Sequence, residues 1–370
     1  VTVNAAGRFV GAGLVVGADR VVSAVRYGRA MSITAQLRDS VVLPGGGVLV
    51  NGFALERRGA GSRRALVPGG ASLEVHELAG LFAGGRAPVA VFPLPWPAGE
   101  GGVPSVSPDG AFAAFPGRRA VRAVGADGTT RWEYPHEPWG DGFEHGSCRV
   151  SDDGRLVWAH VPADAAGGGP PEWWIVLDAG DGRELARLPL ADSAAAGSHH
   201  LAHPDGRHVG LCIGMGQDGV LLRWARRDGE RLVDLGVDAG QDRILADVHA
   251  GHPGFLTVEH YGADLELHGP DGTVLARGEP EPADGEDEFC WDHACGFVDA
   301  GTVIASTVDC APDDDPEQPR HWLLDAHTLR IRGPVRYPGG PVDGYARPLG
   351  DGTWLTYDDA RRTLDRWAVA

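Results

Sequence analysis

A short strand, a turn built on Gly and a second strand recur along this chain at nearly constant spacing. The copies read SVSPDGAFAAF, RVSDDGRLVWAHV, LAHPDGRHVGLCI, HAGHPGFLTVEHY, GFVDAGTVIASTV and ARPLGDGTWLTYDD. Their turns fall at Gly110, Gly154, Gly206, Gly254, Gly301 and Gly352, which are 44, 52, 48, 47 and 51 residues apart. A second hairpin follows most of them, as in WWIVLDAGDGRELARLPL, VLLRWARRDGERLVDLGV and LELHGPDGTVLARGEP. Asp-Gly suits such turns because Gly accepts positive φ and Asp bonds its own backbone. Each unit is therefore four short antiparallel strands. A lone four-stranded sheet cannot bury both of its faces, so successive units must stack about an axis. Amphipathic helices, which a parallel βαβ sheet would need, are missing between the strands.

These observations predict an all-β chain folded as a single closed β-propeller of four-stranded antiparallel blades. Weaker copies extend the pattern backwards. LEVHEL and VAVFPLP read as the outer strands of a unit whose first hairpin turns near Gly61. GAGLVVGADRVVSAVRY turns near Gly17 to Asp19, with MSITAQL and SVVLP after it. Counted this way there are eight blades, with seven as the alternative. The last unit, ending at TLDRWAVA, lacks an outer strand, and Val1 to Ala5 are expected to supply it, closing the ring without exposed edges. One domain spans 1–370, irregular over 1–102 and clearly repeated over 103–370.

Composition removes several classes of function. The formal net charge of −18 opposes nucleic acid and anionic membrane surfaces. All 33 basic residues are Arg, which excludes Schiff-base chemistry and a P-loop lysine. No apolar run approaches the roughly 20 residues of a membrane span, and no secretory signal is visible. Five scattered cysteines (Cys148, Cys212, Cys290, Cys295, Cys310) do not form a disulfide framework, so reduced thiols and a cytoplasmic location are expected.

The turns SPDG (Ser107–Gly110), SDDGR (Ser151–Arg155) and HPDGR (His203–Arg207) resemble those of the WD-repeat and quinoprotein-like β-propeller superfamily, in its divergent bacterial members. The resemblance covers 103–370 well. The Trp-Asp dipeptide is missing from most strand ends, where WEY, WAR and HEL stand instead, and the quinone-docking tryptophan signature is absent. The resemblance implies a fold and leaves function open, because propellers host scaffolds, receptors, lyases and hydrolases alike.

It also implies that the loops leading into each innermost strand share one face with those joining second and third strands. On that rule Glu144, His145, His199, His200, Asp247, His249, Asp292, His293, Asp343 and Tyr345 gather at one mouth of the axial channel. Imidazole and carboxylate together suit a divalent ion with an open position, for which His145, His249, His293 and Asp292 are the candidates. Equally, polar loops around a wet channel need polar side chains, and no pair of the H-x-x-x-H kind sits on one rigid element.

Other motifs weigh less. Cys290-x-x-His293-x-Cys295 looks like half a zinc site but lacks paired knuckles, and Cys148 matches Cys295 as the first apolar position of an inner strand, where Cys packs as a small hydrophobe. Arg57, Arg58, Arg63 and Arg64 form a basic cluster. APDDDPEQP, with Asp313, Asp314 and Asp315, lacks the ligand spacing of an EF-hand loop. EPEPADGEDEF is an acidic connector suited to a basic partner or to solvent. There is no G-x-S-x-G elbow, and the glycines at 11, 13 and 17 miss the dinucleotide spacing. The eleven tryptophans, Trp173 and Trp174 among them, are expected to fill blade interfaces.

The reading is a binding scaffold that presents a polar His/Asp rim to a protein or small-molecule ligand. The alternative is a metal-dependent hydrolase or lyase at the axial opening, with His145, His199, His249 and His293 as ligands or bases and Glu144, Asp247 and Asp292 as ligands or orienters. His200, Asp343 and Tyr345 complete the ligand-facing set. Beyond a divalent metal, no cofactor is indicated.

Overall fold

A computed structural model describes residues 32–43, 54–58, 62–97, 100–140, 146–163, 169–191, 194, 197–237, 242–280, 289–309, 320–342, 344–358 and 360–370. Five separate four-stranded antiparallel sheets pair their strands in chain order. They are blade 1 (54–93), blade 2 (105–135), blade 3 (148–190), blade 4 (198–234) and blade 5 (243–278). Blade 6 (289–336) and blade 7 (347–369) belong to one eight-stranded sheet, joined through the strand Ile33–Val42. That strand lies antiparallel to Thr363–Val369 as the fourth strand of blade 7, with Ala35 opposite Val369 and Val42 opposite Thr363. Its first residues also bridge in parallel to the outer strand of blade 6, Ile33 beside Val335.

Blade therefore packs on blade all the way round. Leu66, Val75 and Phe92 of blade 1 meet Val106 and Phe115 of blade 2. Phe112 and Val121 meet Val150 and Val157 of blade 3. Trp158 and Trp174 meet Leu211 and Ile213 of blade 4, and one cluster runs on from Trp224 through Phe255 to Trp291 and Phe297 of blade 6. Ile304 and Leu323 meet Trp354, Trp367 and Ala35. Leu355 and Leu364 of blade 7 return to Ala65 and Val67 of blade 1, which closes the ring. None of the eleven tryptophans is exposed, as expected of residues that fill the seams.

Among the described residues the blades number seven, the smaller of the two counts the sequence allowed. The physical reason is closure. Within the stretch MSITAQL–SVVLP, which the count of eight gave to a first unit of its own, Ile33–Val42 is the missing outer strand of the last blade. The ring is closed by strands from near the two chain ends, but the N-side strand is Ile33–Val42 rather than Val1–Ala5; the latter, like the turns near Gly17 and Gly61, lies outside the described residues.

The SPDG-type turns lock themselves. Ser151 donates through Oγ to Asp153 (2.6 Å), the same carboxylate accepts from the Arg155 N–H, and Ser151 Oγ accepts from the Leu156 N–H. Ser107 and Asp109 repeat the arrangement, which holds the Asp109 carboxyl below its usual range. Gly154 sits at φ 72°, a conformation that Gly adopts without a Cβ clash.

Ala35 is 1% exposed and faces the seam between blades 6 and 7, whereas Leu37 on the same strand is 47% exposed. Ala35→Asp is expected to lower the unfolding free energy by ~3 kcal/mol or more through an unpaired buried charge, and Leu37→Asp to change it by less than ~0.5 kcal/mol. Denaturant titration checks both; equal effects would remove Ile33–Val42 from the ring.

Candidate functional site

The strand order separates two faces. The connector face carries the chain entering each inner strand and the links between second and third strands. The hairpin face carries the turns that close each first hairpin. On the connector face lie His199 and His200, in the first residues of the inner strand Ser198–Ala202, and Tyr345, just ahead of Arg347–Pro348. Asp292 and His293 lie there too, in a bulge of Phe289–Asp299 where the register jumps from Trp291 to Cys295.

Asp247 and His249 do not join them. The inner strand of blade 5 is Arg243–Val248, so both residues come at its far end, next to the hairpin face. Asp247 is buried, and its carboxylate accepts from the N–H of Val248 (2.8 Å) and of Phe297 in blade 6 (2.7 Å). His249 accepts the Gly251 N–H at Nδ1 and donates from Nε2 to the Gly350 carbonyl in blade 7 (3.0 Å). The expected single rim is thus divided, because the apolar pattern RILADV starts the strand several residues earlier than the turn HAGHPG suggests. Glu144, His145 and Asp343 lie outside the described residues.

The densest polar group on the connector face joins blades 3 and 4, and sequence reasoning reached only His200 within it. Trp174 donates from Nε1 to His200 Nε2 (3.0 Å), so the proton of the neutral ring is on Nδ1, 2.8 Å from Ser147 Oγ. Ser147 Oγ is 2.8 Å from Ser198 Oγ, which is 3.0 Å from His160 Nδ1. His160 Nε2 lies 2.6 Å from Glu172 Oε2, and Glu172 Oε1 accepts the Ala194 N–H. One direction of donation satisfies every link, from Trp174 through His200, Ser147, Ser198 and His160 to the carboxylate. Glu172, His160 and Ser198 have the connectivity of an acyl-transfer triad. All three are buried, however, and Ser198 Oγ already has two partners, so the geometry is that of a seal between blades. Burial above all, together with the neighbouring His160, His199 and Arg149, holds the His200 pKa well below the ordinary imidazole value.

A second group links blades 4, 5 and 6. Asp242, at φ 37°, accepts the Val220 N–H (2.6 Å) and bonds His260 Nδ1 through Oδ2 (3.1 Å). The His260 carbonyl accepts from His293 Nε2 (3.0 Å), and the two rings stack at 5.9 Å. Tyr261, next along the chain, is 69% exposed. His199 donates from Nε2 to the Leu245 carbonyl of blade 5, and burial lowers its pKa.

The cysteines divide between core and disulfide. Cys148 and Cys295 are buried in seam clusters, and burial pushes both thiols well up. Cys212 is raised to about 12 for the same reason. Cys290 is disulfide-bonded, which corrects the expectation of reduced thiols throughout and removes it from any zinc knuckle. Among the described residues no three His, Cys, Asp or Glu side chains gather as a metal-ligand set. His249 and His293 sit at different ends of the inner strands, and each directs a ring nitrogen at a backbone carbonyl.

The arginine cluster is also used within the ring. Arg63 donates from Nε to the Leu349 carbonyl of blade 7 (2.6 Å), while Arg64 pairs with Glu77 and donates to the Ser107 and Pro108 carbonyls of blade 2. Ser147, His160, Glu172, Ser198, Asp242 and His260 were missed in the sequence because nothing local marks them. Only Ser147 and Ser198, 51 apart, carry the signal of separation by about one repeat; His160 bonds residues 38 and 12 positions away, and Asp242 and His260 are 18 apart.

No family model matches this chain, and no curated protein matches it in sequence. Its likeness to solved structures lies in shape. The β-propeller domain of Cps50 (Swd1) from Myceliophteria thermophila is 9% identical, with 90% of this chain and 100% of that one covered at a TM-score of 0.55. The WD40 repeats of RRP9 are 12% identical over 91% and 100% of the two chains, with a TM-score of 0.53. U3-55K is 12% identical over 90% and 98%, with a TM-score of 0.52. The fold is thus that of a WD-repeat-like β-propeller.

Asp247→Ala would take from the buried Phe297 N–H the carboxylate that ties it to blade 5. An unfolding free energy lower by about 2–4 kcal/mol is expected in urea titrations; a loss under ~0.5 kcal/mol would show that the tie between blades 5 and 6 is idle.

Proposed function

We propose that this propeller is a binding scaffold whose connector face, over blades 5 and 6, receives a basic segment of a protein partner. The observation that carries the reading is Tyr261, 69% exposed beside the fixed group of Asp242, His260 and His293. An exposed aromatic ring on a rigid support suits recognition, because little side-chain freedom is lost on contact. Tyr and carboxylate together suit the guanidinium or ammonium group of a basic side chain.

Charge supports the same partner. The connector from blade 5 to blade 6 reads EPEPADGEDE, and the link between the second and third strands of blade 6 includes APDDDPEQP; neither contains an arginine. Both connect strand ends on the connector face. With a net charge of −18, the chain attracts basic partners over distances set by ionic strength. His199, Asp292, His293 and Tyr345 remain on this face as candidate contacts. His200 is assigned instead to the seal between blades 3 and 4, and Asp247 and His249 to ties near the hairpin face.

A peptide array spanning basic, neutral and acidic 15-residue sequences tests the proposal. Basic peptides are expected to be retained, more weakly as salt rises, and Tyr261→Ala to weaken retention by about tenfold. Asp205→Ala, on the hairpin face, should leave retention unchanged. Equal retention of acidic peptides, or an unaffected Tyr261→Ala variant, would overturn the assignment.

A further inference from the structure

The chain of hydrogen bonds between blades 3 and 4 works in only one protonation state. His200 Nε2 must be bare, because it accepts the Trp174 indole N–H at 3.0 Å. Trp174 has no room to turn, being fully buried among Trp158, Val176 and Leu211 of the same seam. His200 cannot exchange its two nitrogens either, because its Nδ1–H is engaged with Ser147. A proton arriving at Nε2 therefore sets two N–H groups against each other in a dry interface, where neither finds another acceptor.

We propose that the seam between blades 3 and 4 is an acid-sensitive joint, closed while the His200 imidazole is uncharged and opened when it takes a proton. The proposal is independent of the partner that the connector face receives. Each element around the ring adds to the effect. Arg149 approaches from the inner strand of blade 3, and its charge disfavours a second cation; a proton on His160, from the second strand, or on His199, from the same strand as His200, would add to this. Glu172, on the third strand of blade 3, offers no relief, because its oxygens are taken by His160 and the Ala194 N–H. Asp152 and Glu56 lie toward Arg149.

The sign follows from these contacts. Burial and like charge depress the folded pKa of His200, so its contribution to closure is complete above the ordinary imidazole value and is lost as pH falls toward the folded one. The seam between blades 6 and 7 repeats the design. There His321 Nδ1 accepts from Tyr337 OH (2.6 Å), whose oxygen accepts the Trp354 indole N–H (2.9 Å). His321 Nε2 donates to the Gly344 carbonyl, and burial lowers its pKa to about 4. A charged ring at this site would leave the Tyr337 hydroxyl proton without its acceptor.

Opening at blades 3 and 4 would act on the connector face. The chain enters blade 3 through Ser147, links its second and third strands between His160 and Glu172, and enters blade 4 through Ser198. All three passages are anchored in the joint.

Hydrogen–deuterium exchange of the full chain between pH 7 and pH 4.5, corrected for intrinsic rates, tests the joint. Protection over 148–150 and 198–202 is expected to fall by about tenfold or more relative to 72–77 in blade 1. His200→Gln can still accept from Trp174 and donate to Ser147 but cannot be protonated, so it should abolish that relative fall. An equal fall in H200Q would overturn the proposal. Should H200Q fail to fold, the wild-type profile alone decides: protection lost evenly over all blades refutes a local joint, and loss first at these two segments supports it.

Discussion

Side chains that reach across one repeat tie the inner strands of blades 1 to 6 one to the next, and their register depends on these ties. Glu56 of blade 1 accepts from Ser105 Oγ and the Val106 N–H of blade 2, and Ser105 accepts the Val150 N–H of blade 3. Ser147 meets Ser198, His199 meets the Leu245 carbonyl, and Asp247 takes the Phe297 N–H. His203 and His252 continue the pattern near the hairpin face by donating to the carbonyls of His252 and Ala300. Apolar faces favour stacking but tolerate sliding. A buried polar pair has a single satisfied arrangement and a heavy penalty for any other, so it selects one alignment of neighbouring sheets.

That division of labour explains what could be read before any coordinates. Asp-Gly turns and alternating strands are local, and from them the repeat, the four-stranded unit and the closed ring all follow. Closure by Ile33–Val42 is not local. MSITAQL has the composition of any strand, and only pairing with Thr363–Val369 reveals its blade. The candidate site was legible in part for the same reason. His199, His293 and Tyr345 fall on the expected face because their strands begin where the pattern begins. Asp247 and His249 do not, because a bulge between Leu245 and Asp247 and a His-bearing turn blur the end of their strand. His160 and Glu172 act through residues dozens of positions away, and no spacing rule exposes such a link.

Among the described residues several imidazoles serve as joinery between blades. His200, His203, His249 and His321 each accept at one ring nitrogen, and each directs the other at a neighbouring blade or connector. His200, His203, His249 and His321 are thereby committed to holding neighbouring blades and connectors together, whereas Tyr261 stands exposed.

The strand that completes blade 7 also sets a timetable. Ser40 and Asp365, which bond across the closing pair, are 325 residues apart. At ribosomal speeds of about 5–20 residues per second, the earlier strand is made roughly 15–65 s before its partner. Until then Ile33–Val42 lacks the strand it pairs with in the folded ring, so its backbone edge stays open to other pairing for longer than that of any strand paired within one blade.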